Sequence, residues 1–204
     1  MTRIKICGLM GVEDVAMINT VMVDYAGFVF APGRHHLTIN QAKELKQHLH
    51  NDIQSIGVFV NERMDVIQEI CEQGIVDMVQ LHGDEDEQYV IELQARIWQP
   101  IIRAIRVQCK EQLYDAEQSP CDYLLLDSYH IHAYGGTGTA FDHTLIPPLK
   151  KPFFLAGGLH MDTIDEAILF THPYAVDISS GVETDGRKDK KKIQAIVERI
   201  RSYE

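Results

Sequence analysis

Long apolar runs are missing from this sequence of 204 residues. No segment approaches the roughly 18 to 20 apolar residues that a membrane-crossing helix needs, and the N-terminal stretch lacks the apolar core of a secretory leader. Cysteine is scarce: Cys7, Cys71, Cys109 and Cys121 form neither a Cys-x-x-Cys pair nor a short secreted framework, which predicts reduced thiols in a cytoplasmic protein. Positive charge is short too, with 19 Lys and Arg against 30 Asp and Glu and a net charge of -11. Nucleic acid and anionic membranes select a basic face and are poor partners for such a chain. No Pro/Ser-rich linker or shift of composition divides the chain, so residues 1–204 read as one domain. His35-His36 and His130-x-His132 have no third ligand at a sensible spacing, so no metal is expected.

What is present is a regular alternation of β-rich runs and stretches of helical period. IKICGL is followed by GVEDVAMINTVMVD, YAGFVF by INQAKELKQHLH, SIGVFV by NERMDVIQEICEQ, and the pattern continues to YAVDISSG and KDKKKIQAIVERIRS, eight β/α units in all. Strand ends near residues 7, 30, 60, 82, 105, 127, 157 and 179 recur at intervals of about two dozen residues, which predicts eight parallel strands with outer helices, a (β/α)8 TIM barrel. A doubly wound open sheet is the alternative. It usually carries a Gly-x-Gly-x-x-Gly turn after its first strand, and Cys7-Gly8-Leu9-Met10-Gly11-Val12 does not match it.

In a barrel, alternate residues of each strand fill the interior, and the C-terminal strand ends carry the chemistry. Period two then sends Lys5 and Cys7 inward from RIKIC while Ile4 and Ile6 face the helices. Cys7, Gln80, His82, Arg103, Asp127, Asp177 and Ser179 interrupt apolar runs at the strand ends and are the candidates to meet a substrate. LAGGL and DISSGVE follow the seventh and eighth strands, where barrels commonly bind phosphate through backbone N–H groups. Gly157, Gly158, Ser179, Ser180 and Gly181 are therefore expected to form a phosphate site, and amide donors allow an acidic protein to bind an anion. The loop AYGGTGTAFD, residues 133–142, reads either as a mobile close-approaching segment or as a plain connector.

KICG, GFVF, GVFVN, VQLHGDE, LLLD, GGTG with FD, LAGGL and DISSGVE with a following Gly-Arg-Lys-Asp resemble, in order and over almost the whole chain, the phosphoribosylanthranilate isomerases of tryptophan biosynthesis. The resemblance implies an aldose-ketose isomerase that converts N-(5-phosphoribosyl)anthranilate to 1-(2-carboxyphenylamino)-1-deoxyribulose 5-phosphate by an Amadori rearrangement, with no redox or metal step and no cofactor. It implies Asp127 as the acid that opens the furanose ring and Cys7 as the base that removes the C2 proton. Lys5 is expected to favour the Cys7 thiolate, and the apolar wall around Leu124 to Leu126 to hold a proton on Asp127. Two positions depart from the family. Where it places an Arg for the anthranilate carboxylate, ungapped alignment puts His35, with Arg34 one residue away; of the two, Arg34 offers the permanent charge and bidentate fork. His143 stands where the family often has Trp, at the expected start of the sixth outer helix. Other phosphosugar barrels would want a catalytic Lys pair or metal-binding His/Asp sets, and a catalytically silent barrel would have lost Cys7 or Asp127. A monomer and a homodimer both fit the helix pattern.

Overall fold

The computed structural model describes residues 2–128 and 142–203. Eight strands, β1 (Arg3–Cys7), β2 (Tyr25–Val29), β3 (Gln54–Phe59), β4 (Met78–Leu81), β5 (Ile101–Val107), β6 (Tyr123–Ser128), β7 (Phe153–Leu155) and β8 (Ala175–Ile178), pair in sequence order, and β8 returns to β1 to close a barrel. Every pairing in it is parallel. Each strand ends within two residues of its expected position.

Helices α1 (Val12–Val21), α2 (Ile39–His48), α3 (Met64–Glu72), α4 (Glu87–Gln94), α5 (Lys110–Glu117) and α6 (Ile164–Thr171) fill the connections, and two short strands, β9 (Glu183–Thr184) and β10 (Arg187–Lys188), precede α7 (Lys190–Arg201). Local chemistry sets several of their ends. Thr38 and Gln41 close a capping box at α2, Asp86 caps α4 through the Tyr89 N–H, and Asp189 caps α7 through Lys191 and Lys192.

The sixth connection differs from expectation. In place of an α-helix from Phe141–His143, the structure has one short 3-10 turn, His143–Leu145, capped by Asp142. Ile146 ends it in extended backbone because Pro147 and Pro148 supply no N–H and disfavour helical backbone before them. Phe141 and residues 133–141 of the glycine-rich loop lie outside the described residues.

The alternation in β1 builds the interior layer by layer. Ile4 and Ile6 are buried in the large apolar core between sheet and helices. At the N-terminal mouth, Tyr25, Tyr123, Phe154 and Tyr174 pack against one another in tilted and edge-to-face pairs, and Arg3 lies over the Tyr174 ring, 4.4 Å from its centroid. Ile56, Met78, Ile102, Leu125, Ala156 and Ala175 complete the same interior cluster. Lys5 is fully buried, and Cys7 follows it at the C-terminal end.

Candidate active site

Cys7 owes its place to two glycines. A Cβ on Gly27 of β2 would lie 2.6 Å from the Cys7 sulfur, so only a bare Cα leaves room for the thiol. Gly8 turns the chain out of β1 with φ +80°, and a side chain there would meet the His35 ring at 2.9 Å, which places His35 over the end of β1. Burial pushes the Cys7 thiol up; Lys5 and Lys188 pull it down and Asp177 pushes it further up, with an upward result. The expected help of Lys5 to the thiolate is therefore present, but desolvation outweighs it in the unliganded site.

Asp127 ends β6 with its carboxylate held from both sides. Oδ1 accepts the Ser128 N–H at 2.7 Å, and Oδ2 lies 3.2 Å from His82 Nε2. His82 Nδ1 is 2.8 Å from Gln80 Nε2, Gln80 Oε1 accepts from Lys5 Nζ at 2.5 Å, and Lys5 Nζ donates to Asp177 Oδ2 at 2.8 Å. Five of the expected residues and positions, on β1, β4, β6 and β8, thus form one hydrogen-bonded line across the barrel. Burial works against the Lys5 ammonium, but Asp177 and Cys7 outweigh it and raise its pKa. Asp177 Oδ1 is buried and has no hydrogen-bond partner among the described residues.

Arg103 does not join this line. β5 turns Ile102 and Ala104 inward, and Arg103 reaches out to Ser119 Oγ (3.3 Å) and the Glu85 carbonyl (3.1 Å). A candidate to meet substrate, Arg103 is thus placed away from the line, whereas Arg106 shares the parity of Ile102 and Ala104 and donates to the Gly83 carbonyl.

The last two strands deliver the expected glycine and serine loops together. Gly157 and Gly158 both have positive φ, +84° and +66°, and Gly157 packs against the Ser128 N–H closely enough to exclude a side chain. Gly181 abuts the Leu159 carbonyl so tightly that any Cβ would collide with it. Gly158, Ser180 and Gly181 line a cavity of about 550 Å³ that Lys191 and Lys192 of α7 also border. Lys188 Nζ reaches the Ser179 carbonyl at 3.1 Å.

One carboxylate that the sequence did not single out gathers the remaining cations. Glu183 Oε2 accepts from Arg34 at 2.5 Å, Oε1 accepts from Lys188 at 2.7 Å, and His35 Nε2 lies 2.9 Å from Oε1 without the alignment of a hydrogen bond. Burial raises the Glu183 pKa, but Lys188, with His35 and Arg34, holds it below the usual value. Burial lowers the His35 pKa, and Lys188 and Arg34 lower it further against Glu183. The Arg34 side chain is 57% exposed, whereas that of His35 is 17% exposed, so His35 is the inner of the two. Among the described residues no group of three or more His, Cys, Asp or Glu is placed to hold a metal ion.

Comparison with known proteins agrees along the whole chain. The family model for N-(5'-phosphoribosyl)anthranilate (PRA) isomerase matches residues 4–199. The N-(5'-phosphoribosyl)anthranilate isomerase of Endomicrobium trichonymphae is 47% identical over 202 residues, covering 99% of this chain and 100% of that protein. The crystal structure of the phosphoribosyl anthranilate isomerase of Thermotoga maritima superposes with a TM-score of 0.89 at 31% identity, covering 99% of this chain and 100% of that one. A phosphoribosyl anthranilate isomerase solved in complex with reduced 1-(o-carboxyphenylamino)-1-deoxyribulose 5-phosphate gives a TM-score of 0.82 at 28% identity, with coverage of 99% and 100%. A barrel whose β1 and β6 ends carry Cys7 and Asp127, matched from end to end by these proteins, belongs to the N-(5'-phosphoribosyl)anthranilate isomerase family.

Proposed function

We propose that this chain performs its family's isomerisation of N-(5'-phosphoribosyl)anthranilate in tryptophan biosynthesis with Asp127 as general acid and Cys7 as general base. Asp127 gives its proton to the furanose ring oxygen, the ring opens to an imine, and Cys7, acting as its thiolate, takes the C2 proton to leave an enolamine that tautomerises to the ketone. The observation that carries this reading is the line from Lys5, one layer below Cys7 on β1, through Gln80 and His82 to Asp127, which ties the strand bearing Cys7 to the Asp127 carboxylate at the active end of the barrel. Two hydrogen-bonding neighbours face the carboxylate that Asp127 becomes when its proton has left.

The substrate's other groups have matching surroundings. The loops at Gly157-Gly158 and Ser179-Ser180-Gly181, with Lys191 and Lys192 close by, suit a phosphate. Arg34 and His35 suit the anthranilate carboxylate, with Glu183 occupying them until it arrives. Asp177 Oδ1 suits a sugar hydroxyl, since it is a buried acceptor still without a donor. The chain works in the cytoplasm as a monomer or homodimer; no helix among the described residues is long and apolar enough to cross a membrane. The test is a direct assay with freshly generated phosphoribosylanthranilate, whose fluorescence is lost on conversion. Substrate-dependent loss of signal by the purified protein is expected, and its absence would overturn the reading.

A further inference from the structure

Donor and acceptor identities along the line from Lys5 to Asp127 are forced by one residue. An ammonium has three N–H donors and no acceptor. Lys5 directs two of them to Asp177 Oδ2 and Gln80, in a fully buried position. The Gln80 atom beside Lys5 must therefore be the amide oxygen, because the amide nitrogen there would set donor against donor. That fixes the other end of the amide: the group 2.8 Å from His82 Nδ1 is Nε2, a donor, so Nδ1 must accept. A neutral imidazole whose Nδ1 accepts carries its proton on Nε2, the atom 3.2 Å from Asp127 Oδ2.

We propose that Lys5 and Gln80 are positioning residues that set the tautomer of His82, so that an N–H rather than a lone pair faces Asp127. The kinetic consequence rests on Asp127 being the general acid; the tautomer does not. An N–H at this place orients the carboxyl and supports the carboxylate formed as the proton passes to the ring oxygen. The opposite tautomer would aim a lone pair at Asp127 and compete with the substrate for that proton. Lys5 thereby serves both ends of the site, lying one layer below Cys7 on β1 and reaching Asp127 through two side chains, with Asp177 as its counter-charge.

The test is nitrogen NMR of the ligand-free protein labelled at histidine, recorded at pH 8, above the ordinary histidine pKa of about 6.5. The His82 signals are identified by their loss in His82→Gln. In the unsubstituted protein we expect an unprotonated Nδ1 and a protonated Nε2. Gln80→Glu keeps an oxygen for Lys5 but turns an acceptor toward Nδ1, and should convert that nitrogen to its protonated form. Gln80→Leu removes the constraint, and kcat should fall about tenfold or more, the scale of one lost hydrogen bond to a charged group, with a smaller change in KM. A proton on Nδ1 in the unsubstituted protein, or an unprotonated Nδ1 in Gln80→Glu, would overturn the proposal. So would an unaltered kcat in Gln80→Leu. The spectrum of the unsubstituted protein decides the tautomer even where a variant fails to fold. Absence of isomerase turnover would defeat the proposed function while leaving that spectrum to stand on its own.

Discussion

Cys7 and Asp127 are single side chains on which a whole rearrangement depends, and each has a distinct way to fail. Cys7→Ala removes the base and leaves Lys5 paired to Asp177; Asp127→Asn removes the acid and keeps the shape of the carboxyl. Each should lower kcat by about 10²-fold or more with little effect on folding, the usual scale for a positioned acid or base. Near-normal turnover by either purified variant would refute its assignment. At the neighbouring loop, Arg34→Ala is expected to lose roughly 1.5 to 3 kcal/mol of transition-state binding, because an arginine keeps its charge at every working pH. His35 is pushed toward its neutral form by burial, so at neutral pH it offers one hydrogen bond. Profiles of kcat/KM from pH 5.5 to 8.5 for both variants separate them: a larger loss in His35→Ala, coupled to disappearance of a rise in acid, would make His35 the clamp. Residue identity alone made Cys7 and Asp127 visible. It did not show that Gly27 exists to admit the Cys7 sulfur or that Glu183 holds Arg34, since both facts join residues far apart in the chain.

Among the elements, β1 and α2 were the easiest to read, because their signals are local. RIKIC alternates with period two, and Thr38 with Gln41 marks a helix start by chemistry confined to four residues. β5 was harder: Ile101-Ile102 are both apolar and both buried, so the sequence leaves its parity open, and the structure turns Arg103 toward Ser119 and the Glu85 carbonyl. The sixth connection departs from the helix expected there because Pro147-Pro148 stop it after one 3-10 turn. The loops after β7 and β8 support a prediction at this scale. Gly158→Asp should raise KM for substrate and weaken competition by inorganic phosphate, since it adds a negative charge where the anion is expected. Gly158 has a positive φ, so Gly158→Ala serves as the control that carries the backbone strain without the charge. If both variants raise KM equally, strain rather than charge is responsible; if the effect falls on kcat alone, the phosphate is bound elsewhere.

For the whole molecule, Glu183 is the contact that closes the barrel mouth between its second and eighth connections, joining Arg34 and His35 to Lys188. Removing its charge in Glu183→Gln leaves Lys188 fully buried without a partner carboxylate. Unfolding by urea at pH 7 should show a loss of about 1 to 3 kcal/mol, the range for a broken charge-assisted hydrogen bond in a buried setting. The sign of its pH dependence follows from the lowered Glu183 pKa. A carboxylate depressed in the folded state contributes its full stability above the ordinary value of 4.5, and that contribution is lost as pH falls through the folded-state pKa. The gap between the unsubstituted protein and Glu183→Gln should therefore narrow below pH 4.5; a gap that stays constant into acid would show that Glu183 acts by packing and not by charge.

The sequence by itself determined the order and period of the β/α units, the inward pair Lys5 and Cys7, Asp127 at the end of β6, and the glycine loops after β7 and β8. All of these are written in residues adjacent in the chain, where period, turn chemistry and motif act. Tertiary structure alone decided which of those groups meet: the line from Asp177 through Lys5, Gln80 and His82 to Asp127, the seat of Cys7 against Gly27, and the capture of Arg34 by Glu183. The physical reason is the closure of the barrel. Hydrogen bonds and charge pairs act over a few ångströms, and only when β8 returns to β1 do residues from opposite ends of the chain come within that range, in a buried setting where each donor must find an acceptor.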